Sequence, residues 1–430
     1  MRRIVAGWAA CVILLGAAGC ALLRPELPAD GDVARSTLPR DTNPVVVHDD
    51  VVSLAAGNGA FAFDLLHALG DADENLFYSP YSVSSALAMT YAGARGTTES
   101  QMAEALHFTL GQDDLHPAFN WTDLALESRG EIGPPYVGEG FELHVVNATW
   151  GQQGYTFLRR YLDVLAIHYG AGLRLLDFVA DPDAARQTIN EWVRDETNGR
   201  IVDLLPPGAI DATIRLVLTH AIYFNAPWLK PFDVELTSFE AFEPAAGEPV
   251  AVSMMRQAAM LAYASWDGGQ VVELPYNGDR LSMILFVPDR GGYGAFEDEI
   301  DFGRYEEIVG SLAWRQVDLR LPKFEIGTDL SLVEPLKTLG MTDAFGDAAD
   351  FSGIDGTHDL FISKVLHKAW VSVDEAGTEA AAATAVFVPI SGSPDPPVTL
   401  TINRPFLFVI RDRPTGTILF VGRVANPAAD

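Results

Sequence analysis

Side chains able to do chemistry are plentiful in this chain, but they are not spaced for catalysis. Nine histidines are dispersed along 430 residues, and no two stand at the helical interval that would aim both imidazoles at one ion. No metal site and no cofactor are therefore expected. Cysteine occurs only as Cys11 and Cys20, which excludes a disulfide scaffold. Gly57-Asn58-Gly59 and Gly138-Glu139-Gly140 lack the third glycine of a dinucleotide-binding turn. A P-loop, an H-E-x-x-H pair and a nucleophile elbow are also missing. The 58 carboxylates are too many for a glycosidase pair to stand out. Nothing points to a convergent Ser-His-Asp site, which only geometry could reveal. An enzyme is not expected.

One segment is unusual: Glu375-Ala376-Gly377-Thr378-Glu379-Ala380-Ala381-Ala382-Ala383-Thr384-Ala385. Taken alone it reads as an Ala-rich surface helix. Gly377, Thr378 and Thr384 are poor interior helix residues, however, and the segment runs without a cap into Val386-Phe387-Val388-Pro389-Ile390. With a period of two, one face holds Thr378, Ala380, Ala382, Thr384, Val386 and Val388, all uncharged. The other holds Glu379, Ala381, Ala383, Ala385 and Phe387. Such a strand can enter a sheet with the first face buried. A sequence equally suited to an exposed loop and a central strand suggests a conformational switch.

The elements around it are legible. Ser79-Pro80 is an N-cap followed by proline at the first helical position, predicting a helix over 81–92. Thr98-Glu99-Ser100-Gln101 predicts a capping box opening the next helix. Asp181-Pro182 opens a third, with Ala185, Ile189, Trp192 and Val193 on one stripe. Strands are predicted over 216–224, over 271–274 paired with 281–287 across Asn277-Gly278, and over 406–410 paired with 418–424 across Pro414-Thr415-Gly416. Helices dominate the first half and strands the second, so the class is α+β.

Glu375-x-Gly377-Thr378-Glu379-Ala380-Ala381-Ala382 resembles the hinge of an inhibitory serpin's reactive-centre loop. The resemblance spans roughly residues 55 to 427. Asn75-Leu76-Phe77-Tyr78-Ser79-Pro80-Tyr81-Ser82 matches the family's N-[LIV]-[FV]-x-S-P-x-S element. Ile189-Asn190-x-Trp192-Val193-x-x-x-Thr197-x-Gly199-Arg200-Ile201 matches its next run, and Ala221-Ile222-Tyr223-Phe224, Trp228 and Pro231-Phe232 follow. Glu273-Leu274-Pro275-Tyr276, Asn403-Arg404-Pro405-Phe406 and Gly422-x-Val424-x-Asn426-Pro427 complete the match.

The resemblance implies a serpin fold of about nine helices and three β-sheets, with an exposed loop at about 375–397 able to insert into the main sheet. It implies a suicide inhibitor of serine proteases that traps the acyl-enzyme by loop insertion. The hinge would be Glu375, Gly377, Thr378, Glu379, Ala380, Ala381, Ala382 and Ala383. Ser79, Ser82 and His367 match the polar cluster where the sheet parts, and Trp228 the aromatic residue where insertion starts. The family's usual Asn in that cluster is His220 here, which suggests a pH-sensitive opening. Counting the usual loop length from Glu375 places the attacked bond between Ser391 and Gly392; a loop one residue shorter places it between Ile390 and Ser391. Val388-Pro389-Ile390-Ser391 holds no Arg or Lys, so the target should accept small or medium apolar groups, as elastase and subtilisin-like enzymes do.

Composition bounds the partners. With 29 Lys and Arg against 58 Asp and Glu the formal net charge is −29. That argues against nucleic acid, heparin-like polyanions and anionic lipid surfaces, and it favours a basic protease as target. The first twenty residues read as an export signal: Arg2 and Arg3, an apolar run, then small residues before Cys20. Cys20 resembles a bacterial lipobox cysteine, although the lipobox's usual Leu three residues earlier is Ala17 here. Residues 21–50, rich in Pro and Asp, are expected to be a flexible tether, and 51–430 one domain. The expected product is a monomer, exported to the cell envelope as a lipoprotein or released to the periplasm or medium. A membrane would be met only through the lipid. The alternatives are a non-inhibitory serpin acting as an envelope binding or carrier protein, and an envelope hydrolase.

Overall fold

The computed structural model describes residues 33–429 except 71, 132–135, 137–140, 198, 200 and 379–395; for 142–147 and 220–223 it describes the backbone alone. Cys20, the hinge residues Glu379, Ala380, Ala381, Ala382 and Ala383, and the reactive-bond candidates Ile390, Ser391 and Gly392 lie outside the described residues.

Six of the ten described α-helices precede residue 200, and twelve of the sixteen strands follow it, so the segregation expected of an α+β chain is present. Ser79 Oγ accepts the Ser82 N–H at 3.1 Å and Pro80 opens the helix Pro80–Tyr91. Almost every residue of that helix is buried. It stops at Gly93, where an added Cβ would stand 2.1 Å from Ile354. Asp181 caps Pro182–Glu196 by accepting the Ala184 N–H at 3.0 Å. The capping box at Thr98 is a misreading. The helix there begins at Gly96, and both box residues bond distant backbone instead. Thr98 Oγ1 accepts from Asp350 N–H, and Gln101 Oε1 from Thr342 and Asp343 N–H.

The main sheet has seven strands in the order Val33–Ala34, Leu173–Leu176, Glu142–Gln152, Leu216–Pro227, Gly377–Thr378, Lys364–Val373, Phe324–Ser331. A second sheet of nine strands contains the runs Leu281–Pro288, Phe406–Asp412 and Ile418–Val424, which are buried almost throughout. They read as continuous apolar runs because both faces are covered. The hairpin between Gly269–Pro275 and Leu281–Pro288 turns at Gly278 and Asp279, both at positive φ. Two of the three sheets implied by the resemblance run together. The 17-residue strand Val250–Trp266 pairs at one end with Ser238–Phe242 and at the other with Gly269–Pro275, joining them.

Residues 33–47 are not the free tether expected up to residue 50. Val33–Ala34 pairs antiparallel with Leu173–Leu176 at the sheet edge. Arg40 bonds Asn120, Asp123 and Glu127, and Asp41 N–H reaches Ile167 O at 2.9 Å. A Pro/Asp-rich composition predicts a poor core, yet here the segment binds by backbone pairing and charge.

One extended core lies between the sheets and the helices around them. A smaller apolar cluster sits beneath Pro182–Glu196: Ala185, Ile189 and Val193 pack with Ala148, Trp150 and Val217, and Leu366 joins from the neighbouring strand. That helix therefore covers the lower junction between Leu216–Pro227 and Lys364–Val373.

Candidate functional site

The centre of the main sheet is a seam. Strands Leu216–Pro227 and Lys364–Val373 run parallel and pair directly from Val217↔Lys364 to Tyr223↔Trp370. Each is antiparallel to its outer neighbour, Glu142–Gln152 or Phe324–Ser331. Parallel ladders are slightly weaker per residue than antiparallel ones; the sheet's other parallel pairing, Glu142–Gln152 with Leu173–Leu176, lies toward its edge, so this is the weaker junction at the sheet's centre.

At the top of the seam a third strand has entered. Gly377 and Thr378 lie antiparallel between the two, with Gly377↔Pro227, Thr378↔Ala226 and Thr378↔Val373 in register. Gly377 is required by close approach: a Cβ there would sit 2.2 Å from Ala226 O and 2.6 Å from Pro227 Cα. Its φ is not positive, so a left-handed backbone is not the reason for the glycine. Thr378 is wholly buried, and its Oγ1 lies 2.8 Å from the Tyr276 hydroxyl.

A dense polar frame holds the turn into this wedge. Asp374 Oδ1 accepts the N–H groups of Ala376 and Gly377 at 2.8 and 3.2 Å, and Asp374 N–H donates to Gly377 O at 2.9 Å. Trp228 donates twice, from its backbone N–H to Ala376 O (2.9 Å) and from Nε1 to Asp374 O (3.0 Å). Its indole stacks on Tyr276 with centroids 4.6 Å apart and planes 8° from parallel. Phe232 N–H donates to Glu375 O at 2.8 Å. The Glu375 carboxylate accepts from Lys323 Nζ and Thr237 Oγ1, each at 2.7 Å. Burial pushes that carboxyl up, but the Lys323 and Thr237 hydrogen bonds outweigh it and hold it below the usual range.

Lower on the seam the polar contacts thin out. Ser79, Ser82 and His367 are buried together, and His367 Nε2 accepts the Ser79 N–H at 3.1 Å. Burial pushes the imidazole down to about 3, so it is neutral at ordinary pH. Its Nδ1 meets no partner among the described residues. In register, His367 faces His220 across the seam, and His220 faces Asn147 on the other side. The histidine that replaces the family's Asn is thus central in the sheet, at the level of Ser79.

The described site residues assigned by resemblance fall into two groups about one seam: Trp228, Glu375, Gly377 and Thr378 above, Ser79, Ser82, His220 and His367 below. The sequence reading missed Thr237, Lys323 and Asp374 altogether, and it quoted Tyr276 as part of a motif without a role. Tyr276 alone carried a signal, being adjacent to Pro275 in a matched element.

The sequence profile described as Serpin (serine protease inhibitor) matches residues 56–427. The chain is a serpin. Serpins generally inhibit proteases and are not catalysts, and their usual targets are serine proteases. Its relatives include an uncharacterized serpin-like protein of Methanosarcina acetivorans, 38% identical over 383 residues and covering 87% of this chain and 88% of that one. The leukocyte elastase inhibitor of Sus scrofa is 38% identical over 388 residues, covering 87% of this chain and 99% of its own. Among solved structures, the thermophilic serpin tengpin in the native state matches with a TM-score of 0.79 at 27% identity, over 92% of this chain and 100% of that one. Uncleaved ovalbumin matches at 0.77 and 28%, over 87% and 100%. The serpin fold expected from the hinge and the Ser79-Pro80 element is the fold observed.

Proposed function

We propose that this serpin is an exported, monomeric suicide inhibitor of serine proteases whose specificity pockets accept small or medium apolar side chains. The observation that carries the reading is the wedge: Gly377 and Thr378 already pair on both sides while the seam below them is closed. In the proposed reaction the protease serine attacks the carbonyl of Ile390 or Ser391, the peptide bond breaks, and the following residue leaves as a free amine. The ester-linked segment then continues the antiparallel register begun at Thr378. Weak parallel pairing is replaced by two antiparallel ladders, and the attached protease is carried along before water can release it.

The buried Thr378 side chain supports this reading of the faces. Carrying its parity onward turns Ala380, Ala382 and Thr384 inward and Glu379 outward, so the uncharged face would be the one buried. The same register brings Thr384 opposite both His220 and His367. The elastase inhibitor among the relatives and the loop's lack of Arg and Lys around Ile390 support apolar specificity. The acidic chain favours a basic target. We assign the first twenty residues to an export signal, Cys20 to lipidation, and the inhibitory domain to about 51–430 with an ordered extension from Val33.

Incubation of the mature protein with elastase, subtilisin and trypsin, followed by denaturing gels, tests the proposal. An SDS-stable adduct with the first two, and not with trypsin, is expected. Clean loop cleavage with no adduct would overturn inhibition and leave the carrier reading.

A further inference from the structure

Away from the seam, a polar cleft of about 110 Å³ lies where the end of helix Pro80–Tyr91 meets the starts of Gln112–Ser128 and Arg159–Tyr169. Arg95, Asp113, His116, Arg160, Tyr161 and His168 line it. Three of their buried polar atoms have no hydrogen-bond partner among the described residues: His116 Nε2, His168 Nδ1 and the Tyr161 hydroxyl. His116 and Tyr161 are 3% and 1% exposed, and an unpaired polar atom at such depth costs on the order of 1–3 kcal/mol. All three belong to side chains that line this one cleft, and unpaired groups gathered in one place call for a common partner.

Charge decides its sign. The guanidinium groups of Arg95 and Arg160 form no salt bridge among the described residues; Asp113 is the carboxylate in the lining, and Asp350, which also feels the charge of His358, lies within electrostatic reach of Arg95. Gln112, at the rim, already donates to Tyr91 O and Glu99. Arg95 Nη1 donates to the carbonyls of Ala92 and Ala94, so it is fixed in place. The two cations disfavour a metal ion despite the neighbouring imidazoles, whose rings stack 6.2 Å apart. Burial, then the neighbouring His168, push His116 down to about 3, so its ring is a neutral donor. Its Nδ1 lies 2.8 Å from the Tyr169 hydroxyl; in the tautomer in which that hydroxyl donates, the hydrogen of His116 sits on Nε2, the unpartnered atom. One water needs roughly 10–15 Å³ of such space, so the cleft has room for a tetrahedral ion.

We infer that this cleft binds a small oxyanion, sulfate or a phosphoryl group, held by Arg95 and Arg160 and by N–H and O–H donors from His116, His168 and Tyr161. The site is separate from the seam and does not depend on the inhibitory reading. It also qualifies the exclusion of anions drawn from net charge. A chain of charge −29 repels an extended polyanion, yet a half-buried Arg95 and an exposed Arg160 at one polar cleft can select a compact one.

Calorimetric titration of the full protein with sodium sulfate, inorganic phosphate and glycerol 3-phosphate, against chloride at equal ionic strength, tests the inference. Saturable one-to-one binding is expected with sulfate and phosphate. Retention of glycerol 3-phosphate would show that the cleft accepts a phosphoryl group on a larger molecule, and its rejection that the free ion is the ligand. Arg160→Ala should weaken binding about tenfold or more with an unchanged melting temperature in chloride. Arg159→Ala, next in sequence but paired with Asp163, should leave binding unchanged. Absence of saturable binding, equal behaviour of the two arginine variants, or zinc bound in place of the oxyanion would overturn it.

Discussion

The two ends of the seam are held by different physics. Above, the strands are already apart, and the gap is filled by Gly377 and Thr378, a stacked Trp228–Tyr276 pair and at least eight hydrogen bonds to residues 374–378. Below, the strands touch directly through parallel pairing, one histidine accepts one backbone N–H, and a helix lies over the junction. The top is therefore a built starting point and the bottom a latch. In the proposed reaction, starting insertion needs no new opening, whereas finishing it requires the parallel pairs and the His367–Ser79 bond to be given up. The barrier should reside below.

The strongest way to break this contrast acts at the top. Thr378→Arg forces a charge into a fully buried site. Burying an unpaired charge costs several kcal/mol, so the segment should be expelled and the yield of SDS-stable complex should fall about 100-fold. Cleavage of the loop should continue. Gly377→Val acts on the same wedge by overpacking against Ala226 O, with a cost of roughly 1–3 kcal/mol. Hydrogen exchange should report it as lost protection at the Trp228 and Phe232 amides, with the His367 region unchanged.

Mild acid addresses the bottom. Native His367 takes up its proton near pH 3, and a free imidazole near 6.5. Between those values the opened chain binds more protons than the closed one, so stability present above pH 6.5 is lost as pH falls toward 3. The slope is at most about 1.4 kcal/mol per pH unit, or about 2 kcal/mol at pH 5. Glu375, whose carboxyl lies below its usual range, keeps its charge at pH 5, so this treatment spares the top. Spontaneous loss of inhibitory activity should accelerate at pH 5 in the wild type. His367→Gln should remove most of the dependence, and a rate flat from pH 5 to 8 would contradict a histidine latch. The smallest effect belongs to Lys323→Met. Its side chain is 39% exposed, so losing the ion pair with Glu375 should cost under about 1 kcal/mol, read as a slight drop in melting temperature.

What could be read from the chain was what is local. Ser79-Pro80 and Asp181-Pro182 fixed their helices because a cap and its helix are contiguous. The two faces of 378–388 were visible because strand parity needs no partner. Glu375 was visible and its holders were not, because Thr237 and Lys323 lie 138 and 52 residues away and show no periodicity of their own. The capping box failed for the same reason, since Thr98 and Gln101 serve residues near 342 and 350. Gly377 was recognised as a hinge glycine, but the crowding against Ala226 that demands it appears only once three strands are assembled. The segment 33–47 has a linker's composition, and it is held by pairing with Leu173–Leu176 and by the Arg40 bonds to residues about 80 positions away, which local composition does not announce.

If the seam admits the whole segment after Thr378, the loop-cleaved protein will show it. Cutting near Ile390 and then following thermal unfolding should show a large rise in melting temperature, since two antiparallel ladders replace one parallel one and each kcal/mol is worth roughly 2 °C in a chain of this length. Hydrogen exchange in Leu216–Pro227 and Lys364–Val373 should slow together. A cleaved protein that melts where the intact one does, with exchange in those strands unchanged, would mean that the seam stays closed to the segment.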